Sequence, residues 1–123
     1  MTPLQNYFTN LKARLTLSHA IDSYQILLEK IKDAEGYIKI KSNLIDGTIL
    51  YIFEYVVINN DKLETIKYRY HLQDDHGNLI KRWDNAPHHQ EIETFPDHVH
   101  EGEKLKPSNI NNLEKLLSLL EVV

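Results

Sequence analysis

A chain of 123 residues with 41% hydrophobic and 26% charged side chains can enclose one hydrophobic core and not two, so one domain over residues 1–123 is expected. Having no cysteine, it cannot form disulfides, thiolate nucleophiles or sulfur-based zinc sites, which fits a reducing cytosol. The formal charge of −4 argues against a protein coated in nucleic acid, yet Lys62, Lys67, Arg69, Lys81 and Arg82 gather mid-chain and leave room for a focused, transient phosphate site.

The opening MTPLQNYFTN has no basic region leading into an apolar one, and no apolar run approaches the about 20 residues that span a bilayer. A soluble, cytoplasmic protein is expected. TPLQ is a helix start, with Thr2 as N-cap, Pro3 at the first helical position and Gln5 reaching back; Leu4, Phe8, Leu11 and Leu15 follow as one apolar stripe. In SYQILLEKIK, 23–32, both periods are present, but the polar turn DAEG and the alternating YIKIKSN that follow favour a strand. Asp46-Gly47 signals a hairpin. TILYIFEYVVI, 48–58, is so apolar that it predicts a central strand covered on both faces.

LETIKYRYHL, 63–72, alternates, with Ile66, Tyr68, Tyr70 and Leu72 on one face and Lys67, Arg69 and His71 on the other. LIKRWD, 79–84, predicts the last strand. From Asn85 to Pro107 no period holds, and three prolines interrupt regular structure; a loop this long in a small domain tends to be functional or disordered, and Ile92, Phe95 and Val99 would pin it to the core. Ser108 is expected to cap a final helix with Leu113, Leu116, Leu117 and Leu120 buried. The sum is an α+β domain, a four- to five-stranded antiparallel meander with a helix at each end, whose exposed edge offers pairing to a second copy as a homodimer.

Six of the seven histidines fall between His71 and His100, which directs attention to RWDNAPHHQEIETFPDHVHEG. In extended HVH, His98 and His100 share a face and can divide acid and base work. A divalent metal on His88, His98, His100 and a carboxylate is the weaker alternative, because the spacing matches no familiar His-x-His metal motif. Arg82 is the candidate for stabilising charge on phosphorus, with Asp84 to hold a tautomer; Asn85 and Arg69 are candidate substrate-binding residues, and Tyr68 and Tyr70 offer rings for base stacking or, equally, core packing. Glu54 is a carboxylate in the most apolar strand and needs a partner, either Arg69 or Arg82 in an ion pair, or a place in the site as base or orienter.

With DG and LYIFEY, YRYHLQDDHGNLIKRWDNAPHH and TFPDHVHEG together, the chain from about Tyr24 to Ser108 resembles the TumE family, toxins of toxin–antitoxin pairs. By position the resemblance points to Glu54, Tyr68, Tyr70, Arg82, Asp84, Asn85, His88, His98 and His100. It implies a cognate antitoxin and, since small toxins commonly attack RNA, a metal-independent endoribonuclease with histidine acid–base catalysis. The alternative is a non-catalytic module that holds RNA, a metal or a partner through the same groove.

Overall fold

The computed structural model describes residues 1–122. It is α+β: helix α1 (Pro3–Leu17), strands β1 (Ile21–Ile31), β2 (Glu35–Leu44), β3 (Ile49–Asn59), β4 (Lys62–Gln73), β5 (Leu79–Asp84), β6 (His98–Glu101) and β7 (Lys104–Pro107), then helix α2 (Leu113–Leu120). All the strands form one antiparallel sheet in chain order. Seven strands replace the expected four to five. The strand at 79–84 is not the last, because His98–Pro107, expected within the loop, folds back as a β6–β7 hairpin turning on Gly102, whose φ of +61° suits glycine.

At the N-terminus the chemistry is as expected: the Thr2 side chain accepts from the Gln5 amide and the Gln5 side chain accepts from Thr2 N. Leu4, Phe8, Leu11 and Leu15 are buried against the sheet, each worth about 1.5–3 kcal/mol when fully covered. Gly36 permits this contact, since a β-carbon there would lie 2.7 Å from the Phe8 ring. Asn60 and Asp61, both at positive φ, make the tight turn from β3 to β4.

Leu113, Leu116 and Leu117 of α2 join the same core, with Leu120 packed at its rim. The cap of this helix is Asn112, whose side chain accepts from Lys115 N, and not Ser108, whose hydroxyl accepts from Ile110 N. Both are short polar side chains and the intervening NIN carries no apolar period, so the sequence could not separate them.

The helices pack on one face of the sheet. Along β3, Leu50, Ile52, Glu54 and Val56 are buried there, while Ile49, Tyr51, Phe53, Tyr55 and Val57 are only half-buried on the other face. The expectation of cover on both faces is therefore wrong; aromatic rings, not packing partners, make this strand read as continuously apolar. Of the residues expected to pin the long loop, Val99 is buried, Ile92 half-buried and Phe95 exposed. Among the described residues no helix is long and apolar enough to cross a membrane.

Candidate functional site

Strand register decides what meets on the open face. Arg69 of β4 lies opposite Asp84 of β5, which lies opposite His98 of β6; in the next row His71 lies opposite Arg82, which lies opposite His100. These side chains point away from the helices, because the alternate residues Tyr70, Trp83 and Val99, themselves in register, belong to the core.

Asp84 is the hub. Its Oδ1 accepts from Ala86 N at 3.0 Å and lies 2.8 Å from His98 Nε2, and its Oδ2 accepts from Arg82 Nε at 3.2 Å with His100 Nε2 at 3.7 Å. His98 is buried, and its Nδ1 is 2.8 Å from the Pro96 carbonyl oxygen. His100 is partly accessible, and its pKa is lowered from the ordinary imidazole value by burial first and by the Arg82 guanidinium second, with Asp84 acting in the opposite sense. The same two causes lower His71, in the same order. Neutral rings beside a fixed guanidinium are suited to accept protons near a phosphate.

The segment from Ala86 to Asp97 covers this hub. His88 stays exposed and, with Lys67, Arg69, Arg82, Asp84 and Ala86, lines a cleft of about 360 Å³. His89 turns the other way, its ring centroid 5.3 Å from that of His98 and 6.1 Å from that of His100. Nitrogen atoms of His89, His98 and His100 come within 4.8 Å of one another, so among the described residues this is the triplet that could hold a metal, with His89 in the place expected for His88. In an irregular loop nothing in the sequence tells which of two adjacent histidines faces inward.

Residues 11–122 match the family described as Toxin TumE. The chain belongs to the TumE toxin family. Membership in a toxin family implies a cognate antitoxin. No curated protein and no solved structure matches the chain. The TumE match spans β1 to α2 and thus includes every residue of the open-face site.

Not all candidates meet there. Glu54, Tyr68 and Tyr70 occupy the helix-facing side of the sheet. Glu54 is fully buried and accepts from the hydroxyls of Tyr70, at 2.7 Å, and Tyr7; neither Arg69 nor Arg82 pairs with it. Burial raises its pKa, against the opposing effect of the two phenols. Tyr68 and Tyr70 are stacked on each other in the core, with ring centroids 5.0 Å apart, which leaves no face for a base. Tyr68 also donates to Asp97 at 2.7 Å, anchoring the entry to β6. Asn85 is spent on backbone, its side chain accepting from Tyr68 N and donating to the Ile66 carbonyl. The open face brings together Arg69, Arg82, Asp84, His88, His98 and His100, and adds His71 and His89, which the sequence reading left out.

Proposed function

We propose that this TumE protein is the toxin of a toxin–antitoxin pair and acts as a metal-independent endoribonuclease. The observation that carries the reading is Asp84 holding Arg82 and His98 in place beside the accessible ring of His100, on a face free of helices. The Arg82 guanidinium, fixed through Nε, presents its remaining N–H groups to a phosphodiester and stabilises charge on phosphorus. His100 takes the 2′-hydroxyl proton as O2′ attacks phosphorus. His88, exposed in the adjoining cleft, returns a proton to the departing O5′ as the P–O5′ bond breaks, leaving a 2′,3′-cyclic phosphate. His98, with both nitrogens engaged, positions Asp84 rather than exchanging protons with substrate.

The test is RNA cleavage by purified protein in EDTA. Cleavage that needs the 2′-hydroxyl, yields the cyclic phosphate and falls about 100-fold or more in His100→Ala and in Arg82→Gln is expected. Growth inhibition by a protein that cleaves no RNA would overturn it. A second reading is favoured by the imidazole triplet: a non-catalytic module that holds a metal ion on His89, His98 and His100, with His98 giving up one of its two present hydrogen bonds to ligate. Growth inhibition lost in His89→Ala and retained in His100→Phe with EDTA present would contradict both; loss in His89→Ala together with loss of bound metal favours the module.

A further inference from the structure

The two register rows that end in the site do not begin there. The first runs Lys39, Phe53, Arg69, Asp84, His98 from β2 to β6, and the second runs Lys41, Tyr51, His71, Arg82, His100. Together they carry four cationic side chains and one carboxylate, already partnered, on a chain whose formal charge is −4. Each row places an aromatic ring between a lysine and the site. Lys39 Nζ stands 5.8 Å from the centroid of the Phe53 ring, and the rings of Tyr51 and His71 meet edge to face at 6.4 Å. Lys39, Tyr51, Phe53, Arg69 and His71 line a groove of about 290 Å³, and Arg69 is also a wall of the cleft that holds Arg82, Asp84 and His88. Strands lie about 4.8 Å apart, so the path from Lys39 to Asp84 is roughly 14 Å long.

We infer that this open face is a binding platform for single-stranded RNA, leading the strand across β2, β3 and β4 into the site at β5 and β6. The inference rests on the ribonuclease reading for the identity of the polymer and extends it to substrate class and to residues remote from the chemistry. Half-buried rings on a sheet offer π faces to unstacked bases, and lysines beside them meet the backbone between bases. A duplex keeps its bases stacked inside and cannot use those rings. Tyr51 and Phe53 thus take the stacking role that Tyr68 and Tyr70, locked in the core, cannot fill.

Binding is measured by fluorescence anisotropy with a labelled eight-nucleotide 2′-O-methyl RNA, which cannot form the cyclic phosphate, as a single strand and annealed to its complement, over a range of salt. The single strand is expected to bind at least tenfold tighter than the duplex. Phe53→Ala and Tyr51→Ala are each expected to weaken it at least fivefold with the salt slope kept, and Lys39→Gln and Lys41→Gln to weaken it with a shallower slope. Equal affinity for duplex, or wild-type affinity in all four variants, overturns the platform, as does a cognate antitoxin that covers these residues on a protein with no affinity for the oligonucleotide. Failure of the nuclease reading looks different: the platform pattern appears but natural RNA stays intact. If the platform alone is wrong, natural RNA is cleaved and the four variants cleave it as wild type does, whereas a working platform predicts slower cleavage of an octamer by each of the four.

Discussion

Asp84 Oδ1 lies 2.8 Å from Nε2 of buried His98, whose other nitrogen faces the Pro96 carbonyl. Asp84 Oδ1 and the Pro96 carbonyl thus hold the ring from both sides. Asp84→Asn removes the charge and places an amide donor near Ala86 N–H or His98. It is expected to destabilise the fold by about 1–3 kcal/mol and to abolish growth inhibition, as read by chemical denaturation and an induction assay. Wild-type toxicity in a folded Asp84→Asn protein would remove Asp84 from the site.

Arg82 contributes to keeping His100 neutral. Burial is the larger cause, the guanidinium the next, Asp84 opposes them, and His98 and His89 add to Arg82. In Arg82→Gln the His100 midpoint should rise in an NMR titration while staying below the ordinary imidazole value, because burial persists. His71 should move the same way, since Arg82 also lies opposite it. A base works when unprotonated, so residual cleavage in this variant should need a higher pH than in wild type. A His100 midpoint that does not move would contradict the assignment.

Glu54, Tyr7 and Tyr70 form a buried polar knot remote from the imidazoles, so its expected effects are on stability. Tyr70→Phe leaves the carboxyl one donor short and should cost about 1–3 kcal/mol, with Glu54→Gln closer to wild type than Glu54→Ala. Because burial raises Glu54 above its ordinary 4.5, the folded state holds the proton more tightly than the unfolded chain. That contribution is full below about 4.5 and is lost as pH rises through the folded value. Glu54→Gln should remove this slope from the pH dependence of unfolding and leave toxicity intact.

Glu121 has the opposite sign. It accepts from Arg14 at 2.7 and 2.8 Å and from Ser18 at 2.6 Å, joining the two helices, and these bonds hold its pKa down to about 2. The resulting stability is present above the ordinary 4.5 and is lost as pH falls towards 2. The carboxylate is near solvent, so the contribution is about 1 kcal/mol or less. Urea midpoints between pH 5 and 2.5 should fall less steeply in Glu121→Gln than in wild type.

Local pattern by itself determined much of this protein. The capping box at Thr2, the stripe from Leu4 to Leu15, the strand expected at 23–32 and found at Ile21–Ile31, the Asp46-Gly47 hairpin and the split of β4 into a tyrosine face and a basic face all follow from side-chain period and turn chemistry within a few residues. The clustering of His98 and His100 was legible for the same reason, since residues two apart in a strand share a face. Only the tertiary structure decided which face was which. Glu54 and Arg82 are both conspicuous in the sequence, yet register puts one beneath the helices and the other on the open side. The β6–β7 hairpin was hidden because its four-residue strands bury a polar His98 instead of showing apolar alternation. The choice of His89 over His88 depended on how an aperiodic loop folds over Asp84. Pairing across strands is a long-range contact, and no local period carries it.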